Sequence, residues 1–208
     1  MLLKVSQYGP GIFVVLIWGG LIMTTESVAD NGPAAVGGNT MAIARTIAIQ
    51  DIEYLRRLYA RATDRIGENT PESISEGRDT YHRIFTPDVS FQVKGDAPAE
   101  DTIGPDAWVK IVVDALGPID ATQHLIGTQL VDIESIETDA AGNVIAGEAS
   151  MTSYLQAWHA RANGNVWLFI GTYDDKARYT AGVGWQIYDT TIKRISGEER
   201  PMINEEID

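Results

Sequence analysis

Apolar residues recur at steps of three and four between residues 47 and 66, which is the spacing of one face of an α-helix. Charged residues, including Arg56 and Arg61, fall between them and are expected to face water. Gly67 follows the last apolar residue, and glycine often ends a helix. The pattern therefore predicts an amphipathic first helix.

Two more helices and one strand are predicted in the middle of the chain. Thr70 and Pro71 supply a cap and a first helical residue for a second helix that continues to about Phe85. Apolar and polar residues then alternate over 89–93, as in a half-buried strand. Glycine and proline at both ends delimit a third helix over 104–117.

The second half of the chain contains four strand-like runs, separated by clusters of glycine, asparagine and aspartate that are typical of hairpins. The runs are residues 122–136, 144–160, 166–179 and 185–194. Successive strands joined by hairpins pair antiparallel, which argues against a parallel sheet of βαβ units. The chain is therefore predicted to be one α+β domain, in which helices close the concave side of a bent sheet over a cavity.

Residues 1–29 have the layout of a signal peptide: a lysine, an apolar stretch and the small-residue sequence Ser-Val-Ala. The apolar stretch is too short to cross roughly 30 Å of hydrocarbon comfortably. Cleavage after Ala29 would give an exported protein, periplasmic or extracellular, without a stable membrane span. Translation from Met23 or Met41 would instead give a cytoplasmic chain. Residues 30–44, rich in glycine, alanine and asparagine, are predicted to be a linker.

The chain is acidic, with 16 Lys and Arg against 29 Asp and Glu and a formal net charge of −13. This charge repels phosphate backbones, so nucleic acid is not expected as a partner, whereas a small apolar or weakly polar ligand is. Cysteine is absent, and no two of the three histidines have the spacing of a helical metal site. No metal and no cofactor is predicted, and His82 is expected to be exposed.

Several short segments, in order along the chain, resemble SnoaL-like proteins of the nuclear transport factor 2-like superfamily. They are residues 58–64, 81–88, 122–127, 153–159, 171–175 and 184–187. The resemblance covers residues 45–195 and leaves 196–208 as a polar tail. It implies a cone-shaped α+β fold, with three helices on a curved mixed sheet, mainly antiparallel, that encloses a pocket. A homodimer or homotrimer is also implied, because the outer face of this sheet often pairs between subunits in the family.

Function follows less directly from this resemblance, because the superfamily contains general acid–base enzymes as well as proteins that only bind or scaffold. One hypothesis is a cofactor-free lyase or isomerase, dehydratase-like or cyclase-like, that acts on a polyketide-, steroid- or aromatic-derived substrate. The alternative is a non-catalytic protein that binds a small ligand in the same pocket.

The segment Thr122-Gln123-His124 resembles the part of scytalone dehydratases that carries one of their two catalytic histidines. His124 is therefore the first candidate for a general acid or base. His159 falls near the second catalytic histidine, with a surface histidine as the alternative. The resemblance also implies a tyrosine and an aspartate near the end of the first helix, for which Tyr59 and Asp64 are the candidates. Asp64 fits only after a shift of register, and the two lie about 140° apart around the helix axis.

Aromatic side chains offer large apolar surfaces, so one or two of them are expected to line the pocket and bind the substrate. Strict alternation places Leu155, Ala157 and His159 on one face of their strand and Tyr154 and Trp158 on the other. A β-bulge would exchange the two sets, so either can face the pocket. The candidates for substrate binding are Tyr154, Trp158, Tyr173, Phe91 and Trp108.

Overall fold

The computed structural model describes residues 33–95 and 101–202, with side chains from residue 38 onward. The helices are α1 (Pro33–Gly67), α2 (Pro71–Ile84) and α3 (Pro105–Leu116). The strands are β1 (Phe85–Lys94), β2 (Thr102–Ile103), β3 (Ile119–Thr138), β4 (Val144–Arg161), β5 (Asn165–Thr180) and β6 (Gly184–Pro201). The four long strands all follow the last helix, as the turn clusters predict.

The strands form one open sheet in the order β2-β1-β6-β5-β4-β3. β1 and β6 run parallel, and every other neighbouring pair is antiparallel. The predicted α+β architecture, three helices on a mixed and mainly antiparallel sheet, is confirmed. One detail differs: the short strand β2 pairs with β1, so two strands rather than one precede α3.

α2 begins at the predicted cap. The side chain of Thr70 accepts a hydrogen bond from the backbone N–H of Ser73 (3.1 Å), and the Ser73 hydroxyl in turn accepts from the backbone N–H of Thr70 (3.0 Å). Pro71 occupies the first helical turn, where its missing N–H leaves no donor unsatisfied. α3 also starts with a proline, after Gly104 in a left-handed conformation (φ 87°).

The N-terminal helix is longer than the sequence pattern predicts. α1 begins at Pro33, so most of residues 30–44, predicted to be a linker, is helical. Tertiary contact explains the difference, because Ala44 is buried and Thr40 lies against Gly142 in the turn after β3. The next residue after Ala44, Arg45, donates a hydrogen bond to the backbone carbonyl of Ile133 in β3 (3.3 Å). The predicted leader, residues 1–29, lies outside the described residues.

At the other end, β6 extends into residues 196–208, which the sequence predicts as a polar tail. β5 and β6 pair along their whole length, from Asn165 opposite Pro201 to Thr180 opposite Gly184. The polar side chains of this segment are compatible with a strand because its backbone is bonded to β5. Within residues 33–95 and 101–202, no helix is long and apolar enough to cross a membrane.

The core lies between the helices and one face of the sheet. Alternate residues of β4, among them Met151, Leu155 and Ala157, are buried against the helices, whereas Tyr154 between them is exposed. β4 pairs with β5 in unbroken register from Ala146 to Ala160. Because no bulge interrupts this pairing, the alternation fixes which side chains face inward.

Arg56 lies inside this core and not on the polar face of α1, where the sequence pattern placed it. Its side chain is fully buried and forms an ion pair with Asp175 of β5, in which Nε donates to Oδ2 at 3.0 Å. Nη2 donates to Thr190 Oγ1 (2.9 Å), and the guanidinium lies 4.5 Å and 4.0 Å from the ring centroids of Tyr59 and Tyr173. Arg56 precedes Tyr59 by three residues and so shares its helix face. The paired carboxylate and the two rings make its burial possible.

Candidate active site

A cavity of about 290 Å³ lies between the helices and the inner face of the sheet. Its aromatic wall consists of Tyr59, Trp108, Trp167, Phe169 and Tyr173. Its aliphatic wall consists of Val93, Ile111, Val112, Ala115, Leu116, Leu155, Ala157 and Ile192. Thr63, His124 and His159 are the polar members, and none of the described lining residues is Lys, Arg, Asp or Glu. A charged ligand would therefore lose its hydration here without gaining an ionic partner.

His124 reaches the cavity from β3 and is held from behind by α1. Oδ1 of Asp64 accepts from the backbone N–H of His124 at 3.0 Å and lies 2.7 Å from Nδ1 of its ring. An ionised carboxylate only accepts hydrogen bonds, so Nδ1 of His124 is the donor in this contact and Nε2 is the ring nitrogen that Asp64 leaves unbonded. The imidazole is nearly buried, with 9% of its side chain exposed, and Nε2 has no hydrogen-bond partner among the described residues. His124 thus lines the apolar cavity with its ring oriented by Asp64.

His159 stands beside His124 on the next strand, with the two ring centroids 5.6 Å apart. It is buried, not on the surface as the alternative from sequence had it. Trp167 stacks on its ring at 4.8 Å, and its Nδ1 lies 2.9 Å from Thr122 Oγ1. Burial, with smaller effects from the charges of His124 and Arg161, lowers the pKa of His159 to about 4. The ring is therefore neutral at neutral pH.

A cluster of hydroxyl groups forms a polar part of the wall. The Thr63 hydroxyl donates to the backbone carbonyl of Tyr59 (2.8 Å), so the Tyr81 hydroxyl is the donor in its 2.6 Å bond to Thr63. Trp108 Nε1 donates to the Tyr59 hydroxyl at 3.2 Å. Burial raises the pKa values of Tyr81 and Tyr173 well above the ordinary value, so both stay neutral phenols.

A second, polar depression of about 350 Å³ lies behind the two histidines, and we call it the rear groove. It is lined by Arg61, Asp64, Arg65, Gly67, Glu68, Asp120, Ala121, Thr122 and Gln123. Asp64 and Thr122, the side chains bonded to Nδ1 of His124 and of His159, both line it. The two histidines therefore separate an apolar compartment from a polar one.

The structure brings several of the predicted site residues together. His124, His159, Tyr59, Tyr173 and Trp108 all line the cavity. Asp64 does not line it but contacts His124 from the rear groove, which resolves the register shift that the sequence left open. Tyr59 and Asp64 lie about 140° apart around the helix axis, and accordingly Tyr59 lines the cavity whereas Asp64 lines the rear groove.

Three of the predicted substrate-binding residues lie elsewhere. Tyr154 and Trp158 project from the opposite face of the sheet, since β4 contains no bulge at this point; Tyr154 is 57% exposed and Trp158 lies near Arg200. Phe91 is fully buried and stacks on Trp108 at 4.6 Å, so it supports the cavity wall from behind without lining it. These three expectations are corrected.

Other lining residues were not singled out from the sequence. Trp167 and Phe169 share the parity of Tyr173 on β5, so the same alternation that exposes Tyr154 would have identified them. Thr63 precedes Asp64, and its cavity position follows from its four-residue spacing to Tyr59. His82, predicted to be exposed, lies at the surface with Nε2 2.8 Å from Asp106. In the part of the chain that the structure describes, no three His, Asp or Glu side chains are grouped as a metal site.

A profile of the SnoaL-like domain matches residues 45–191, which is most of the chain. The protein belongs to the SnoaL-like family. The matched range begins where the sequence resemblance begins and ends within β6. No curated protein matches the sequence significantly.

Solved structures show the same nuclear transport factor 2-like fold at low sequence identity. The Kfla4162 protein from Kribbella flavida superposes with a TM-score of 0.57 at 20% identity, over 74% of this chain and 95% of that one. A candidate scytalone dehydratase from Novosphingobium aromaticivorans gives 0.58 at 18% identity, over 79% and 99%. The hexachlorocyclohexane dehydrochlorinase LinA-type3 from Novosphingobium barchaimii gives 0.55 at 14% identity, over 80% and 96%. At these identities the likeness establishes the fold of this SnoaL-like chain.

Proposed function

We propose that this SnoaL-like protein is a cofactor-free lyase or isomerase in which His124 removes a proton from a carbon atom of a neutral ring compound. The contact of Asp64 with Nδ1 of His124 carries the proposal. It leaves Nε2 as a free base at the wall of a cavity that is otherwise almost entirely apolar. Two neighbours of the fold are named as a candidate dehydratase and a dehydrochlorinase, and both names describe eliminations.

The chemistry needs a base that becomes a cation during the reaction. When Nε2 of His124 takes the proton, the imidazolium forms beside the Asp64 carboxylate, whose charge stabilises it. In an elimination, the electron pair of the C–H bond forms the new double bond and the leaving group departs with its own pair. In an isomerisation, His124 returns the same proton to another carbon. Neither route requires a redox partner.

The composition of the wall supports a neutral, flat substrate. Five aromatic rings and eight aliphatic side chains offer apolar contact, and among the residues that the structure describes no carboxylate or basic side chain except the histidines lines the cavity. Polyketide-, steroid- and aromatic-derived compounds have this character. Tyr59 and Tyr173 add hydroxyl groups that can hydrogen-bond an oxygen of the substrate.

The proposal is tested with 5-nitrobenzisoxazole, a flat neutral compound. Base removes its C–H proton, a nitrile forms, the N–O bond breaks, and the released phenolate is coloured. We expect the full chain to accelerate this ring opening, and His124→Gln to lower the rate by about 10²-fold or more, since glutamine retains hydrogen bonding but cannot accept the proton. His82→Gln is the matched control, because His82 also lies beside an aspartate but outside the cavity.

The result also separates the enzyme from a ligand-binding protein. Saturable binding of the probe without acceleration, in wild type and His124→Gln alike, would support the non-catalytic alternative. Acceleration that survives His124→Gln would assign the base to another residue. Loss in His124→Gln with retention in His82→Gln supports the proposal, provided that both variants unfold at the wild-type temperature.

A further inference from the structure

We infer that Thr122 is a positioning residue whose hydroxyl donates to Nδ1 of His159 and thereby holds this ring as the Nε2–H tautomer. His159 then offers an N–H group to an oxygen of the substrate, beside the free base of His124. The inference deepens the proposed function and rests on it for its role in the reaction. The tautomer itself is a property of the protein without substrate.

The partners of the two rings differ in what they can do. Asp64 accepts hydrogen bonds only, so it fixes the proton of His124 on Nδ1. Thr122 Oγ1, 2.9 Å from Nδ1 of His159, carries a hydrogen that it can donate. The imidazole whose Nδ1 faces an acceptor carries its proton on Nδ1, and the imidazole whose Nδ1 faces a donor carries its proton on Nε2. The two neighbouring rings therefore take opposite tautomers. Their Nε2 atoms then present one acceptor and one donor.

The rear groove explains why Thr122 is the donor in this bond. Thr122 lines the polar groove, where water can donate to the lone pairs of Oγ1. Nδ1 of His159 is the acceptor that its hydrogen reaches among residues 33–95 and 101–202. When the Thr122 hydroxyl donates to Nδ1, its hydrogen is bonded to the ring and its lone pairs can still accept from water in the groove.

The ring of His159 is well suited to act as a neutral donor. Trp167 stacks on it at 4.8 Å with an angle of 26° between the planes, which keeps the imidazole in one orientation at the cavity wall. Its pKa of about 4 keeps it neutral at neutral pH, so it donates a hydrogen bond without transferring its proton. A neutral donor of this kind stabilises charge that develops on an oxygen.

The spacing of the two rings narrows the substrate class. Their centroids lie 5.6 Å apart, so one small ring system can contact both histidines, with its acidic C–H at His124 and an oxygen at His159. A ring ketone with an acidic carbon next to the carbonyl fits, as does a ring alcohol whose hydroxyl leaves from the adjacent carbon. In the ketone, His124 takes the proton, the oxygen gains the charge, and His159 donates a hydrogen bond to it. In the alcohol, His124 returns the proton to the departing hydroxyl, which leaves as water.

The test reads the tautomer directly by ¹⁵N NMR of the imidazole nitrogens at neutral pH, without substrate. We expect Nε2 of His159 to be protonated in wild type and in Thr122→Ser, which keeps the hydroxyl. Thr122→Val preserves the shape and the preference for a strand but removes the donor, and we expect it to give a mixture of tautomers. A proton on Nδ1 of His159 in wild type, or a Thr122→Val spectrum equal to that of wild type, overturns the inference.

A kinetic measurement connects the tautomer to the reaction. With 5-nitrobenzisoxazole, whose oxygen becomes a phenolate, we expect Thr122→Val to lower kcat roughly 10-fold with little change in KM, and Thr122→Ser to restore it. This loss is smaller than that for removal of a fixed oxyanion donor, because part of the population keeps the active tautomer. An unchanged kcat in Thr122→Val contradicts the role of the tautomer, whereas loss in His124→Gln alone still supports the proposed base.

Discussion

One oxygen of Asp64 holds His124 through two contacts, the backbone N–H at 3.0 Å and Nδ1 of the ring at 2.7 Å. The contact joins the last turns of α1 to the start of β3, through two residues that are 60 positions apart in sequence. It fixes both the position of the histidine backbone and the rotation of its ring. Asp64 therefore orients the proposed base and supplies the negative charge that stabilises its protonated form.

Asp64→Asn should separate charge from geometry. The asparagine oxygen can still accept from both N–H groups of His124, so we expect the fold and the position of His124 to be retained. Loss of the carboxylate charge should lower the rate of 5-nitrobenzisoxazole ring opening by about 10²- to 10⁴-fold. Asp106→Asn is the matched control, because Asp106 contacts His82 at the surface. Equal rates for the two variants would exclude a role for the Asp64 charge.

Much of this site follows from the sequence, and the exceptions have physical reasons. Alternation along β4 predicts that Leu155, Ala157 and His159 share a face, but only the observed pairing excludes a bulge and so places Tyr154 outside. The register of Asp64 could not be assigned without knowing where β3 crosses α1. Local spacing describes one element at a time, whereas a pair of side chains from two elements depends on how those elements pack.

Arg56 illustrates a different limit of prediction from sequence. Its position three residues before Tyr59 marks it as a member of the apolar face, but its charge assigns it to water. The charge is buried because Asp175, far away in sequence, provides the carboxylate, and this partner is invisible to helical periodicity. In this helix, the basic residue in phase with the apolar stripe is the one that forms a buried ion pair.

Breaking this buried pair should destabilise the protein strongly. Arg56→Met leaves the Asp175 carboxylate without its cation in the core, and such a change typically costs 3–5 kcal/mol in the free energy of unfolding. Asp175→Asn added to Arg56→Met should recover part of this loss, because the unpaired charge is then gone. Urea unfolding of the two single variants and the double variant measures the coupling. Additive losses would mean that the two side chains do not depend on each other.

Filling the cavity should reduce ligand binding without affecting the fold greatly. Ala157 lines the cavity, and Ala157→Leu adds three carbon atoms to a space of about 290 Å³. We expect the affinity for indole, a flat neutral probe measured by NMR titration, to fall about 10-fold or more, because the leucine side chain occupies the space that indole would fill. Ala160→Leu is the control, since Ala160 has the opposite parity on β4 and does not line the cavity. A similar loss in both variants would locate the binding site elsewhere.

We expect the protein to self-associate through the outer face of the sheet. Leu125 and Tyr154 expose 56% and 57% of their surfaces there, an apolar character that is typical of an interface. Tyr154→Arg should shift the mass in solution towards a monomer, as measured by light scattering. Tyr54→Arg is the matched control, because Tyr54 is equally exposed (56%) but lies on α1. A monomeric wild type at micromolar concentration would contradict this expectation.

His159 should make the stability of the fold depend on pH below neutrality. Its pKa is lowered from 6.5 to about 4, mainly by burial and further by the charges of His124 and Arg161, so the unfolded chain takes up a proton before the folded chain does. The stability that comes from keeping this ring neutral is present above pH 6.5 and is lost as the pH falls towards 4. The maximum loss is about 3 kcal/mol, and it should be absent from His159→Gln.

Urea unfolding at pH 7 and pH 4.5 measures this loss of stability in wild type and in His159→Gln. The control is His82→Gln, which changes an exposed histidine and should lose as much stability as wild type. Equal losses in wild type and His159→Gln would show that protonation of His159 is no harder in the folded chain than in the unfolded one, and the ring would then be accessible to water and not enclosed in the cavity wall.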